Sequence, residues 1–305
     1  MKQSLRDFLA ISRANIQLAS LPTATLGIIL TASAWGDIFS LKSLLFILLF
    51  FTLLTYACNL NCLYDLDVDS KFKTYMSDAV RSYGISRLIR LLRWELILAV
   101  FLIGLLCIVE KTLLYTLAVF GMLLGFIYSA PPIRMKSRGL LSFAPVMFGL
   151  YFLPIPTGGF LVSQHISLKL ILFAIGYALL MQGITFINTC EDYEEDNEAS
   201  IATFAHRVGI RKALVWGSIC VMGGGSFTLS MLVVLKHKQL LGPRILLFLL
   251  LVALFVTVLL WIARTLYFVS CSPDPLYFSK VYAPRMRYWF MLTRYPLMAM
   301  ALVLV

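Results

Sequence analysis

Asn61, Asp65 and Asp69 recur at every fourth residue, and Asp192 and Asp196 repeat that interval in the second half of the chain. Residues four apart share one face of a helix, so a helix running through either segment stacks its carboxylates. Stacked carboxylates repel one another and are costly beside a membrane. Divalent cations between them remove the cost, and oxygen-rich sites with open positions suit Mg²⁺ that is also held by substrate phosphates. Two such clusters facing each other would grip a diphosphate through bridging metal ions. An acidic run at a helix end is ordinarily a solvated cap. Two runs with the same spacing argue for more than capping.

A third segment, Tyr128-Ser129-Ala130-Pro131-Pro132-Ile133-Arg134-Met135-Lys136, follows an apolar run. Its prolines end a helix and extend the chain. Arg134 and Lys136 are thereby presented where cations can hold phosphate oxygens left free by metal.

The elements that must position these residues lie in a membrane. Of 305 residues, 60% are apolar and 13% charged, and the mean hydropathy is +0.88. Soluble domains carry about a quarter charged residues, so this chain cannot cover a soluble surface. Runs near 14–34, 41–60, 91–109, 112–129, 140–161, 168–188, 213–235, 243–268 and 288–305 are long enough to span a bilayer. The last is crowded by Arg285, Arg287 and Arg294. The first begins after Lys2, Arg6 and Arg13 and ends in Ala32-Ser33-Ala34, like a cleavable signal, but its length and the spans that follow favour a retained helix.

Nine spans put the N-terminus and the loops after spans 2, 4, 6 and 8 on one side. That side holds 20 of the 26 Lys and Arg residues. The other keeps Lys42, Lys111, Lys169, Lys236, Lys238 and Arg244. The positive-inside rule makes the richer side cytoplasmic. The net charge of +11 is therefore an orientation signal, and no nucleic-acid partner is expected. Nine of the 15 acids, Asp65, Asp67, Asp69, Glu191, Asp192, Glu194, Glu195, Asp196 and Glu198, gather at cytoplasmic helix ends four spans apart. A duplicated four-helix unit would produce that spacing, although the halves show no other repeat. Glu95 and Arg93 fall near the start of the third span and Glu110 at its end, leaving no acid near the middle of any span. The six cysteines lie mostly within or beside apolar runs and read as small buried hydrophobes.

Asn61-Cys62-Leu63-Tyr64-Asp65-Leu66-Asp67-Val68-Asp69 resembles the first signature of the UbiA superfamily of intramembrane prenyltransferases, Asn-Asp-x-x-Asp-x-x-x-Asp. Asp192-Tyr193-Glu194-Glu195-Asp196 is similar to its second, Asp-x-x-x-Asp, and Thr203 to Gly209, TFAHRVG, to the usual continuation. Tyr128 to Lys136 resembles the Tyr-Ser-x-Pro-Pro-x-Arg-x-Lys loop of several members. The resemblance implies a single all-α domain over 1–305, with about nine helices around a central cavity and motif loops capping a cytoplasmic mouth. It also implies Mg²⁺, an isoprenyl diphosphate that ionises to an allylic cation, and an acceptor of unknown identity. By the same resemblance Asn61, Asp65, Asp69, Asp192 and Asp196 are the metal and diphosphate residues. Tyr128, Arg134 and Lys136 would assist the leaving group, and Lys73 and Arg13 would also reach phosphate.

Two departures stand out. Cys62 occupies the place of the first Asp, with Asp67 nearby, and Ser70 to Tyr75 replaces the usual Arg-Pro-x-x-Ser-Gly. The altered motif keeps open a membrane terpene cyclase, in which the substrate's own double bonds capture the cation. A transporter lined by acids is a third class.

Overall fold

The computed structural model describes residues 2–109, 113–237, 239 and 244–305. Glu110, Lys111 and Lys238, and the first residues of the expected fourth and eighth spans, Thr112 and Pro243, lie outside the described residues. The described chain is helical, without a strand among the described residues. Its helices are α1 (Lys2–Ile11), α2 (Ala14–Thr31), α3 (Trp35–Ile38), α4 (Leu41–Tyr64), α5 (Leu66–Phe72), α6 (Thr74–Tyr83), α7 (Ile85–Val109) and α8 (Leu113–Ser129). There follow α9 (Pro154–Ser163), α10 (Leu168–Glu191), α11 (Tyr193–Glu198), α12 (Phe204–Val208), α13 (Ile210–Lys236), α14 (Ile245–Cys271), α15 (Pro275–Tyr282) and α16 (Met286–Val303).

Seven stretches are long and apolar enough to cross a membrane: α2, α4, α7, the broken segment Gly139–Ser163, α10, α13 and α14. The expected spans at 112–129 and 288–305 correspond to α8 and α16. The first is 17 residues long, and the second carries Arg287 and Arg294. The most apolar of the seven, α14, has 28% of its most apolar stretch buried inside the protein, against 72% for α10. Lipid, not protein, must therefore receive the outer faces of α14 and of α7, which has the same low share.

Several expected boundaries move. Ser40 and Ser167 cap α4 and α10 by accepting from Ser43 N and Leu170 N, at 3.3 and 3.2 Å. Both helices then run past the expected ends, to Tyr64 and Glu191. The first span stops at Thr31, and the third begins at Ile85 instead of 91. Glu95 consequently lies inside a membrane helix, 7% exposed, and not at its start. Its Oε1 accepts from Asn59 Nδ2 at 2.6 Å, so the neutral amide of α4 and not water solvates it.

The fifth span is not one continuous helix. A 3₁₀ turn (Gly139–Leu141), a π-helical stretch (Val146–Phe152) and α9 succeed one another. Its proline at 154 starts the third piece, and Leu153 N bonds Phe148 O, five residues back, at 2.8 Å. Behind it α9 packs on α2 backbone to backbone. A Cβ on Gly27 would stand 2.0 Å from Ile155 O. Glycines also set the approach of α10 to α13: a Cβ on Gly183 would meet Gly217 O at 2.7 Å. This dense centre, with Phe173, Tyr177, Phe255 and Trp289 fully buried, holds α10 as a mast for the second acidic motif.

Candidate functional site: two matched helix exits over a cavity

The exits of α4 and α10 are built alike. Asp65 ends α4, its N–H bonding Asn61 O at 2.9 Å, while Asn61 Nδ2 donates to Asp65 Oδ2 at 2.7 Å. Asp192 ends α10 with its N–H on Asn188 O at 3.0 Å, and Asn188 Nδ2 donates to Asp192 Oδ2 at 2.9 Å. Each aspartate then opens a short helix whose first turn brings round the next acid. Asp69 N bonds Asp65 O and Asp196 N bonds Asp192 O, both at 2.8 Å. The repeated unit is Asn-x-x-x-Asp-x-x-x-Asp in both halves. Asn188 was not singled out from the sequence, although the interval that marked Asn61 before Asp65 marks it before Asp192.

Basic side chains from three other segments join the two exits. Arg134 Nη2 lies 3.0 Å from Asp65 Oδ1, and Lys136 pairs with the same oxygen. Lys73, just after α5, reaches across to Asp192 at 2.8 Å and Glu195 at 3.3 Å. Arg13 Nη2 donates to Asn61 Oδ1 at 3.0 Å. Arg13 and Arg134 both adopt left-handed backbone, φ 50° and 38°, a conformation that costs a non-glycine residue about 1–2 kcal/mol. Packing around the exits offsets that strain. Ser12 Oγ contacts Asn59 Oδ1 at 3.4 Å beside the Arg13 kink, and the Arg134 turn is closed by Ser137 Oγ on its carbonyl at 2.8 Å.

Asp69, 8% exposed, and Asp196 have no hydrogen-bond or ion-pair partner for their carboxylates among the described residues. Burial, with Asp65 close by, pushes Asp69 up to about 6. Burial, with Asp192 close by, pushes Asp196 up to about 7. Burial disfavours the Lys73 ammonium, yet Asp192 and Glu195 hold its pKa above the ordinary lysine value. At Lys136 burial wins over Asp65 and lowers the pKa.

The segment after the second motif buttresses it. Thr203 and His206 cap α12, the His206 ring stacks on Tyr193 at 4.1 Å, and its Nε2 lies 2.9 Å from Tyr193 O. On the α4 side Cys62 is a small buried hydrophobe, as expected. Cys62 is fully buried and points its Sγ at Ile11 O, 3.5 Å away, so it faces α1 rather than the acids. Asp67 is exposed and does not border the cavity. No group of three or more His, Cys, Asp or Glu side chains is drawn together as a ready metal cluster among the described residues.

Asn61, Asp65, Asp69, Asp192, Asp196, Arg13, Lys73, Tyr128 and Lys136 border one cavity of about 980 Å³. Arg134 reaches it only through Asp65. The cavity adjoins an apolar lobe of about 310 Å³ between α4, α8 and the π-helical stretch, walled by Phe46, Leu49, Phe50, Leu54 and Tyr151. Arg13, Asn61, Tyr128, Thr185 and Phe290 border both.

The chain is thus a polytopic helical membrane protein whose two matched acidic helix ends stand over an apolar interior. Residues 20–273 match the UbiA prenyltransferase family, and the chain belongs to that family. The fold is similar to that of a digeranylgeranylglyceryl phosphate synthase, with a TM-score of 0.64 and 15% identity over 99% of each chain. It is also similar to a UbiA homologue from Archaeoglobus fulgidus bound to DMAPP and Mg²⁺, with a TM-score of 0.60 and 15% identity over 96% of this chain and 99% of that one. The same homologue without a named ligand gives a TM-score of 0.65 at 16% identity, covering 98% of each chain. No match was found among curated protein sequences. The family match supports an intramembrane prenyltransferase, and the structural neighbours share its fold.

Proposed function

We propose that this chain, as one domain spanning 1–305, is a Mg²⁺-dependent prenyltransferase that ionises an isoprenyl diphosphate and passes the prenyl group to an acceptor. The observation that carries this reading is the pair of matched Asn-x-x-x-Asp-x-x-x-Asp exits, bordering one cavity that leads into an apolar lobe. The donor set is oxygen only, and two of its carboxylates lack any partner, which suits a hard divalent cation taking one or two carboxylates per ion. Asp65, Asp69, Asp192 and Asp196, with Asn61 and Asn188 fixing the inner pair, would hold it. When bound, Mg²⁺ neutralises diphosphate charge and makes it a better leaving group. Arg13, Lys73 and Lys136, which border the cavity, take the remaining phosphate oxygens, Arg134, paired with Asp65 behind them, would join them, and Tyr128, at the junction of cavity and lobe, would face the bond that breaks. The apolar lobe takes the tail and excludes water from the cation. The basic excess around the motif loops supports a cytoplasmic side for this mouth and the N-terminus.

The decisive experiment is pyrophosphate release by detergent-purified protein from isoprenyl diphosphates of increasing length. Release that requires Mg²⁺ supports the reading, and equal release in EDTA overturns it. Mass spectrometry of the extract, with and without added membrane lipid, then identifies the acceptor.

Two smaller outcomes are expected. Asn188→Ala frees the Asp192 carboxylate to rotate and should lower turnover about tenfold, measured by the same assay, with thermal stability little changed. The raised Asp69 and Asp196 values have a sign consequence. Between the ordinary carboxylate pKa and about 6–7 the folded chain binds more protons than the unfolded one, so stability falls as pH rises through that window. In EDTA the melting temperature should therefore be higher near pH 5.5 than near pH 8. Mg²⁺ should narrow the difference and, by calorimetry in two buffers, release protons on binding below about pH 7.

A further inference from the structure

Arg294 of α16 is 1% exposed, in a helix that crosses the apolar interior. Its Nη1 donates to Ala19 O at 2.8 Å and Ser20 Oγ at 3.1 Å, and its Nε to Met181 Sδ at 3.0 Å. No carboxylate lies within 4 Å of it among the described residues. Its guanidinium carbon sits 4.3 Å above the Phe290 ring and 5.4 Å above that of Tyr151. Arg294, Phe290 and Tyr151 all border the apolar lobe. Neutral acceptors and aromatic faces hold a guanidinium in place without cancelling its charge. This wall of the lobe is therefore positive, and two of the rings that could stabilise a carbocation there already carry a cation.

We infer that Arg294 is a specificity-determining charge barrier that confines the prenyl cation to the acidic mouth and keeps the chain in the lobe from capturing it. The inference rests on the ionisation reading of the site and decides between its two outcomes. Heterolysis of the allylic carbon–oxygen bond sends both electrons to diphosphate and leaves positive charge on the allyl unit. Attack by a double bond of the tail would move that charge into the lobe, toward Arg294, against Coulomb repulsion in a low dielectric. Attack by an external acceptor's electron pair makes the new bond at the mouth. The acceptor's proton then leaves with the diphosphate, which carries the negative charge to take it. The product keeps a linear prenyl skeleton.

The test uses ammonium analogues of the prenyl chain, bound with inorganic diphosphate and Mg²⁺. One has nitrogen beside the head position and one has it in the distal half, and each is compared with its uncharged isostere. Replacing Arg294 by Met should tighten the distal ammonium roughly tenfold to a hundredfold, the size expected for like charges about 6–8 Å apart at an effective dielectric near 20. The head-position ammonium and both isosteres should change less than about threefold. Arg294→Lys should keep the wild-type pattern. A distal ammonium unaffected by Arg294→Met overturns the barrier. Should that variant not fold, the wild-type protein still decides: incubated with isoprenyl diphosphate and no acceptor, it leaves the cation only to water entering at the polar mouth, whose oxygen bonds the allylic carbon while its proton goes to diphosphate, so it should yield only linear alcohol, and a cyclic hydrocarbon overturns the inference. Absence of Mg²⁺-dependent diphosphate release in the wild type sinks the ionisation reading itself, a result distinct from normal release with a cyclic product.

Discussion

Replacing Asp65 or Asp192 by alanine is expected to cut pyrophosphate release by on the order of 10²–10³-fold, the loss typical when one preorganised group stabilising developing charge is removed. Each aspartate is the hinge of its exit, ending one helix, opening the next and meeting basic side chains from another segment, Asp65 those of Arg134 and Lys136 and Asp192 that of Lys73. Asp65→Ala also leaves Arg134 and Lys136 without their shared partner, so loss of activity alone could reflect a disturbed fold. Asp65→Asn and Asp192→Asn keep the shape and remove the charge. They should fold with near-native melting temperatures and be almost as inactive as the alanine variants. Turnover in either Asn variant within tenfold of wild type would show that the carboxylates do not carry the chemistry.

The second large effect concerns stability. At Gly27 any side chain meets backbone: its Cβ would lie 2.0 Å from Ile155 O and 2.9 Å from Gly159 N. Neither atom belongs to a flexible side chain, so α2 and α9 must separate. Overpacking ordinarily costs about 1–3 kcal/mol, and a rigid obstacle places Gly27→Val at or beyond the upper end. Because α9 follows the π-helical stretch that walls the apolar lobe, the displacement should reach the lobe as well. Loss of monodisperse protein on size exclusion, or a fall in melting temperature of many degrees, is the expected result. Gly223→Ala is the control. Its Cβ would meet nothing within 4 Å, and in mid-helix alanine is favoured over glycine by about 1 kcal/mol, so this variant should be neutral or more stable.

How far the sequence reached can be judged residue by residue. The two acidic motifs and the basic loop were visible because their chemistry is carried by residue type and interval. The structure brings all three segments to one cavity. Asn188 was hidden by its chemistry, since an amide within an apolar helix has no charge to draw notice. Cys62 could not be placed from its motif position, because which way a side chain faces after a helix extends one further turn depends on what packs against it, here α1. Pro154 and Pro156 mark a break within the fifth span, but the π-helical stretch before them, packed on α8 and α10, has no such mark in the sequence. Glu95 and Arg294 read as charges at span ends. Only the observed helix starts, and the partners Asn59 and Tyr151 drawn from distant segments, account for their burial. The transporter reading loses ground for the same reason. Glu95 is capped by Asn59 on the α7 side of α4, and it borders neither the polar cavity nor the apolar lobe.

Lys73, Arg134 and Lys136 have a further consequence through their pairing with Asp192, Glu195 and Asp65. A pocket lined by bare carboxylates would repel a diphosphate, and one lined by bare ammonium groups would repel magnesium. Here each set shields the other, and arrival of the proposed metal–diphosphate pair would be an exchange of partners, the acids taking the metal and the released bases the phosphates. Little net charge is created or removed by that exchange. Substrate affinity should consequently vary far less with ionic strength than is usual for a polyanion, and the two halves of the ligand should bind together or hardly at all.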